Sequence, residues 1–203
     1  MNIEQTKLHL SPFKHWEMQN CLDDKTLQEI SSASILNGKR SYDGTRAADH
    51  TGEGLDGKLR LFIDKSNATN FPYLFKLIKK LQNKKYYQKI SQKLEKNLSG
   101  SFVRLEIISD KIGFWLKPHK DIKEKLMTMM IWVNPYNESK NLGTDLYDNQ
   151  FKIVKTIEYK NNCGYFFSSG NDTWHGLEKK EIIKERRCIQ INYVTFNTDW
   201  PVE

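Results

Sequence analysis

Residues 101–133 read SFVRLEIISDKIGFWLKPHKDIKEKLMTMMIWV, and this stretch decides the fold class of the chain. Apolar side chains alternate with polar ones through much of it, and the turn pair Asp110-Lys111 separates two runs. Alternation with period two is typical of β-strands, because successive side chains of a strand point to opposite faces. The stretch therefore predicts a change, beginning at Ser101, from a helical half to a strand-rich half.

The strand pattern continues beyond this stretch towards the end of the chain. Turn residues such as Asn134-Pro135, Asn137 and Asn161-Asn162 separate the later runs. We expect strands near residues 102–109, 113–120, 126–133, 143–147, 151–159, 164–168, 173–178 and 187–196. Roughly eight short strands preceded by helices favour a mostly β fold, a barrel or jelly roll buttressed by α-helices.

The first hundred residues are predicted to be mainly helical support for that sheet. Apolar spacing and capping residues predict a helix from Asp23-Asp24 to Asn37-Gly38, a strand at 59–63, and helices at 71–82 and 84–98. Residues 1–20 are expected to cover a sheet edge through Pro12, Phe13 and Trp16. Residues 38–57 are rich in glycine and follow no period, which leaves a binding loop or lid and an ordinary surface loop as alternatives.

The chain of 203 residues is expected to be a single domain, because no Pro/Gly/Ser-rich linker interrupts it. Residues 1–100 would supply the helical support and the irregular loop, and residues 101–196 the β core. A net charge of +7 permits an acidic partner such as nucleic acid, an anionic membrane surface or a phosphorylated metabolite. Many lysines lie in 76–96, where helical spacing predicts the solvent side of amphipathic helices.

The cysteines and the apolar runs bear on the location of the protein. Cys21, Cys163 and Cys188 are odd in number and widely spaced, so we expect a reducing compartment and no disulfide framework. Residues 1–10 lack the apolar core of a signal peptide, and the apolar run 126–133 is too short to span a bilayer. We therefore expect a cytoplasmic protein without a membrane span.

His119 and Asp121 form the first half of a predicted metal site. They are two residues apart, so on an extended strand their side chains point to the same face. His175 closes a later apolar run and supplies a second imidazole if its strand lies beside the first. Two imidazoles and one carboxylate are the set that leaves positions open on iron for substrate and oxygen. Each histidine alone fits an ordinary surface or core residue, so the prediction rests on the three together.

Several segments of the C-terminal half occur in the order found in one known superfamily. They are 113–121 (GFWLKPHKD), 142–147 (LGTDLY), 165–176 (YFFSSGNDTWHG) and 186–194 (RRCIQINYV). On these segments, which extend over about residues 101–196, the chain resembles the iron(II)/2-oxoglutarate-dependent dioxygenase superfamily in its prolyl-hydroxylase-like branch. The resemblance implies a double-stranded β-helix in which His119, Asp121 and His175 hold Fe(II).

The resemblance also implies a basic residue on the last strand that binds the distal carboxylate of 2-oxoglutarate. Arg186 and Arg187 both qualify, since a guanidinium offers a carboxylate paired hydrogen bonds. We choose Arg186, because the sequence 186–188 then matches the Arg-x-Ser of related enzymes with Cys188 in the serine position. Ile189 and Ile191 make the Arg187 face of the strand the more apolar one, which keeps Arg187 as the alternative.

Other positions follow from the same resemblance. Thr128 or Trp132, on the strand after the iron ligands, is expected to line the co-substrate pocket, with ordinary sheet packing as the alternative. Trp115, Lys117 and the loop from Arg40 to His50 are candidates for the mouth of the substrate site.

The expected function is an Fe(II)- and 2-oxoglutarate-dependent hydroxylase that uses dioxygen and forms succinate and CO2, with ascorbate as a candidate reductant. Asp121 favours hydroxylation, because relatives that halogenate have a small residue in its place. The substrate stays open among small molecules, sugars and peptides, since loops decide recognition. Two alternatives remain, a noncatalytic metal-binding barrel for an anionic ligand and a nucleic-acid-modifying dioxygenase. The sequence does not indicate an oligomeric state.

Overall fold

A computed structural model of the chain describes residues 1, 3–35 and 58–202. In these ranges its helices are α1 (Asp24–Ser32), α2 (Pro72–Gln82) and α3 (Lys84–Leu94). Its strands are β1 (Thr6–His9), β2 (His15–Gln19), β3 (Lys58–Phe62), β4 (Phe102–Asp110), β5 (Leu116–His119), β6 (Lys125–Val133), β7 (Thr144–Tyr147), β8 (Ile153–Ile157), β9 (Cys163–Phe167), β10 (His175–Leu177), β11 (Arg186–Val194) and β12 (Trp200–Pro201). The fold is mostly β, as expected. The predicted loop at 38–57, with Arg40 to His50, lies outside the described residues.

The strands form two antiparallel sheets. The larger sheet has the order β1-β2-β9-β6-β11-β4, and both β12 and β3 pair with the remaining edge of β4. The smaller sheet has the order β5-β10-β7-β8. From β4 to β11 the chain passes repeatedly from one sheet to the other, which is the double-stranded β-helix expected from the sequence. The strands predicted after residue 101 are all present, with ends shifted by a few residues.

Both faces of the larger sheet are buried. Its outer face packs on the helices in a core that includes Leu77, Ile78, Ile90, Met129, Ile131, Ile189 and Ile191. Its inner face packs on the smaller sheet in a second core that includes Trp132, Leu146, Ile157, Phe167, Leu177 and Cys188. Because helices cover one face and strands the other, the more apolar face of β11 is the helix side and not the barrel interior.

Helix α1 begins as predicted but ends early. The side chain of Asp23 accepts a hydrogen bond from the backbone N–H of Thr26 at 2.9 Å, which caps the first turn. The helix stops at Ser32 and not at Asn37-Gly38, so the predicted end is wrong. The guanidinium of Arg187 on β11 donates hydrogen bonds to carbonyls at the end of this helix. This is a tertiary contact that the local sequence does not reveal.

Helices α2 and α3 follow their predicted ranges at the start. Glu29 of α1 accepts hydrogen bonds from the N–H groups of Tyr73 and Leu74, so one helix caps the next. Helix α3 ends at Leu94 and not at residue 98, because Glu95 adopts the left-handed conformation (φ 54°) that stops a helix.

Residues 1–20 extend the larger sheet instead of only covering its edge. Strands β1 and β2 form a hairpin, and β2 pairs with β9. Trp16 lies on β2 with its ring stacked on Phe166 at a centroid distance of 5.1 Å. Phe13 is buried on the inner side and contacts Phe167, with ring centroids 5.3 Å apart. The short length of both strands hid this hairpin from the sequence pattern.

The described helices include none long and apolar enough to cross a membrane. Cys21, Cys163 and Cys188 are free thiols.

Candidate functional site

His119 and His175 lie side by side on two neighbouring strands of the smaller sheet. His119 is the last residue of β5 and His175 the first of β10, and the antiparallel register makes their Cα atoms direct partners. Their ring centroids are 4.3 Å apart. Asp121 follows two residues after His119, just beyond the end of the strand. The structure thus brings the three predicted ligands together.

Gly176 permits the close approach of the two histidine strands. A Cβ atom at this position would lie 2.6 Å from the carbonyl oxygen of Leu116 and 3.0 Å from that of Lys117. Both atoms belong to the backbone of β5 and cannot move aside like a flexible side chain. The glycine that follows His175 therefore sets the spacing on which the pair of imidazoles depends.

The three ligand groups converge. Their donor atoms all lie within 4.8 Å of one another, and Nε2 of His175 is 4.0 Å from Oδ2 of Asp121. Each histidine is oriented by its Nδ1, which lies 2.9 Å from a backbone carbonyl two residues earlier, Lys117 for His119 and Thr173 for His175. If Nδ1–H donates to that carbonyl, Nε2 carries the free lone pair, as metal-binding histidines require.

The environment keeps the triad in the protonation states that suit a metal. Burial, and then the neighbouring His175, lowers the pKa of His119 to about 3. Burial also lowers the pKa of His175, although Asp121 opposes it. Burial alone would raise the pKa of Asp121, but Lys125 and the two histidines outweigh it and lower that pKa. Two neutral imidazoles and one carboxylate are the donor set that divalent transition metals bind.

Two side chains hold Asp121, and one of them was not predicted. The hydroxyl of Thr128 donates to Oδ2 of Asp121 at 2.5 Å. The ammonium of Lys125 pairs with Oδ1. With strict alternation along β6, the side chain of Lys125 would point to the helix side. However, the adjacent residues Tyr193 and Val194 of β11 pair with Met127 and Lys125. Leu126 is therefore an extra residue on β6 and forms a bulge. This bulge turns Lys125 into the barrel, which no local pattern indicates.

Arg186 lines the same cavity as the triad, together with Thr128, Tyr165 and Gln190. Its guanidinium is buried and pairs with Asp110, and although burial favours the neutral form, Asp110 raises the pKa of Arg186. Nε donates to the carbonyl of Leu142, and Nη2 makes a long contact of 3.4 Å with that of Gly143.

A guanidinium has five N–H donors. The described residues supply Arg186 with three acceptor contacts. Donors are therefore left for an anionic ligand.

Trp132 lies behind Arg186 and not at the cavity wall. The guanidinium carbon of Arg186 is 4.5 Å from the centre of the Trp132 ring. The indole N–H is buried and has no acceptor among the described residues. An unpaired buried donor costs free energy, and because Trp132 does not line the cavity, its role here is to pack against the guanidinium of Arg186. Cys188, the residue in the predicted serine position, is a buried thiol whose pKa burial raises to about 12.

Arg187 does not reach the cavity. It alternates with Arg186 along β11 and points to the helix side, where Nη1 donates to the carbonyls of Ile30, Ser31 and Ala33. Its Nε pairs with Glu185. The alternative assignment of Arg187 to the co-substrate therefore does not fit the structure, because the strand turns its side chain to the opposite face.

The rim of the cavity is basic. Lys58 and Arg60 of β3, Lys120, and Lys125 line it beside Arg186. Trp115 and Lys117, which were predicted at the substrate mouth, are not among the lining residues; the ammonium of Lys117 lies 5.8 Å from the centre of the Trp115 ring. Trp115 directly precedes β5 and Lys117 lies within it, and both stay outside the cavity wall, since Leu116 between them lines the cavity. Lys58 and Arg60 were not predicted, because β3 reaches the site only through its pairing with β4.

The fold is similar to solved structures of prolyl hydroxylases. A prolyl-4-hydroxylase from Pseudomonas putida matches 90% of this chain and 92% of its own, with a TM-score of 0.63 and 13% identity. A prolyl hydroxylase from Trichoplax adhaerens, in complex with a hypoxia inducible factor peptide fragment, matches 89% of this chain and 83% of its own (TM-score 0.57, 16% identity). HygX from Streptomyces hygroscopicus, with nickel and 2-oxoglutarate bound, matches 92% and 85% (TM-score 0.57, 9% identity).

No protein-family model matches the sequence, and no curated protein does. At these identities the likeness is one of fold. It confirms the double-stranded β-helix, and with it, at the level of the fold, the resemblance to the prolyl-hydroxylase-like branch.

Proposed function

We propose that the protein is an Fe(II)- and 2-oxoglutarate-dependent oxygenase that hydroxylates an organic substrate. The observation that carries the proposal is the convergence of two imidazoles and a carboxylate in a cavity that Arg186 also lines. The fold shared with prolyl hydroxylases and with HygX, whose structure contains 2-oxoglutarate, supports the same class of activity. The substrate class stays among small molecules, sugars and peptides.

Different residues of the chain would bind the metal, bind the co-substrate and position the ligands. His119, Asp121 and His175 would hold the iron, and Arg186 would bind the distal carboxylate of 2-oxoglutarate through N–H groups that the described residues leave unused. Bound Fe(II) supplies the oxidative chemistry in which dioxygen and 2-oxoglutarate give succinate, CO2 and one hydroxyl on the substrate. Thr128 fixes the rotamer of Asp121, and the carbonyls of Lys117 and Thr173 fix the two rings. Positioned groups of this kind lower the reorganisation that a reaction needs.

The first test is binding and turnover. Purified protein with Fe(II) and ascorbate should bind 2-oxoglutarate in a calorimetric titration only when metal is present, and should release succinate slowly even without substrate. We expect His119→Ala to abolish metal binding and succinate formation. A protein that binds the metal but neither binds nor consumes 2-oxoglutarate would instead be a noncatalytic barrel and would contradict the proposal.

The role of Arg186 is tested by comparing two ligands, with and without a distal carboxylate, and by a substitution. Wild-type protein should bind 2-oxoglutarate about 10- to 100-fold more tightly than 2-oxobutyrate, which lacks the distal carboxylate, because charge-assisted hydrogen bonds contribute about 1.5–3 kcal/mol. Arg186→Lys, which keeps the charge but not the fork of donors, should reduce that preference and leave metal binding intact. Equal affinity of the wild type for both acids would contradict this assignment.

A further inference from the structure

A second cluster of metal-ligand side chains lies on the N-terminal hairpin. His9 on β1 and His15 on β2 are direct partners across the hairpin, and Glu17 follows on the same face of β2. Their ligand atoms lie within 4.8 Å of one another, as those of the His119 triad do. Oε1 of Glu17 is 3.2 Å from Nε2 of His9 and 3.9 Å from Nε2 of His15. The cluster has the composition of the first site, two imidazoles and one carboxylate.

His15 is oriented in the same way as the two histidines of the first site. Its Nδ1 lies 2.8 Å from the carbonyl oxygen of Phe13, two residues earlier. The corresponding distance is 2.9 Å for both His119 and His175. A ring that donates Nδ1–H to a backbone carbonyl presents a lone pair on Nε2, which is the arrangement found around bound metals.

Among the described residues, the two Nε2 atoms of this cluster lack hydrogen-bond partners. Nε2 of His9 and Nε2 of His15 are buried and make no hydrogen bond within the described ranges. The side chain of His15 is completely buried, and the two rings are stacked with centroids 5.0 Å apart. Burial also lowers the pKa of His9, which favours the neutral ring. Polar atoms that are buried without a partner are rare and call for a ligand or a water.

A cation already neutralises the carboxylate of the cluster. The ammonium of Lys155, on β8 of the smaller sheet, contacts Oε1 of Glu17 and lies 3.3 Å from Nδ1 of His9. The side chain of Lys155 is 28% exposed, so its flexible stem can withdraw the ammonium into solvent. Once the ammonium has withdrawn, a metal ion would take over the neutralisation of Glu17 and would in addition bind the lone pairs of both Nε2 atoms, whereas the ammonium of Lys155 faces Nδ1 of His9.

We propose that His9, His15 and Glu17 form a second metal site, which binds a divalent transition metal, zinc foremost. Zinc accepts two imidazoles and one carboxylate, with a water completing a tetrahedron. The site is separate from the first, because Phe13 and Phe167 lie between them, with Phe167 contacting His175 at 5.1 Å and Phe13 contacting His15 at 5.7 Å. It would tie β1 to β2 at the edge of the larger sheet and stabilise the folded state when occupied.

The experiment measures zinc binding by the full chain in the His119→Ala background, where the first site is disabled. Chelator-stripped protein is equilibrated with buffered Zn²⁺, and bound metal is counted by mass spectrometry. We expect one zinc per chain in this background. Adding Glu17→Gln, which preserves size, or His15→Ala should weaken binding at least tenfold, and zinc should raise the melting temperature only where the cluster is intact.

Lys155→Met in the same background separates a metal site from a plain ion-pair network. Removal of the competing ammonium should tighten zinc binding by about tenfold, because a like charge beside the metal is lost. If the network is only an ion pair, the variant gains no zinc affinity, and the proposal is overturned. It is equally overturned if the His119→Ala protein binds no zinc, or if Glu17→Gln binds zinc as before. These outcomes do not depend on whether the His119 triad supports an oxygenase.

Discussion

At the scale of single residues, the candidate site depends on side chains and carbonyls that hold the ligands in place. Thr128 illustrates this, because its hydroxyl donates to Asp121 and accepts a hydrogen bond from the amide of Asn192 at 2.9 Å. The amide of Asn192 in turn lies beside Arg104, whose guanidinium donates to its oxygen at 2.8 Å. A chain of hydrogen bonds therefore fixes the carboxylate from behind.

Thr128→Val tests this support. The substitution keeps the shape of the side chain but removes the hydroxyl, so Asp121 loses an orienting bond and the Asn192 amide loses an acceptor. We expect metal affinity to fall about 10- to 100-fold, the usual effect of removing a group that orients a ligand. The measurement is a titration with Mn²⁺ or Ni²⁺ against a competing chelator.

Thr128→Ser is the matched control, since it retains the hydroxyl and should bind the metal nearly as the wild type does. Equal affinity in the valine and serine variants would show that Thr128 is ordinary sheet packing, the alternative reading of this position.

At the scale of elements, β11 serves two layers at once. Arg186 and Arg187 are neighbours in the chain, yet one faces the barrel and the other the helices. Arg187 joins α1 to the sheet by donating to carbonyls at the C-terminal end of the helix, where a positive charge also interacts favourably with the helix dipole. The two arginines should therefore have separable roles, ligand binding for Arg186 and folding stability for Arg187.

Arg187→Met is expected to destabilise the protein by about 3 kcal/mol, because Glu185 loses one of its two cationic partners and the carbonyls at the end of α1 lose a charged donor. Urea unfolding measures this change. The affinity for 2-oxoglutarate of the protein that remains folded should stay unchanged, in contrast to Arg186→Lys. A normal stability with weakened 2-oxoglutarate binding would reverse the assignment of the two residues.

At the scale of the whole molecule, the two cores share one sheet. Tyr193 on β11 donates to the carbonyl of Leu81 in α2, while Cys188 on the same strand packs in the barrel core. The helical part and the β part are thus not separated by a solvent-filled boundary in the described ranges. A sheet that is buried on both faces cannot lose one cover without exposing apolar surface.

We expect the chain to unfold as a single cooperative unit. In urea, helix content followed by far-UV circular dichroism and aromatic packing followed by near-UV signals should change together, with the same midpoint and slope. Loss of the helical signal at a lower urea concentration than the aromatic signal would indicate two independently stable parts and would contradict the single domain.

The strands, the helices and the candidate metal ligands could be predicted from the sequence alone, because each produces a local pattern of residues. Period-two alternation placed the strands from β4 to β11, helical spacing placed α2 and α3, and His119-x-Asp121 with His175 marked the candidate metal ligands. The double-stranded β-helix was available only through the resemblance to a known superfamily, since alternation states that strands exist and not which of them pair.

Tertiary structure decided what depends on contacts between distant segments. It placed Arg186 at the cavity and Arg187 on the helix side, because the helices cover the more apolar face of β11. It brought Lys125 to Asp121 through a bulge, added Lys58 and Arg60 by pairing β3 with β4, and placed Arg187 against the end of α1. It also joined His9, His15 and Glu17 in a hairpin that the sequence pattern did not indicate. The physical reason is the same in each case: periodicity reports which residues share a face, whereas register, bulges and the neighbouring layer determine what that face meets.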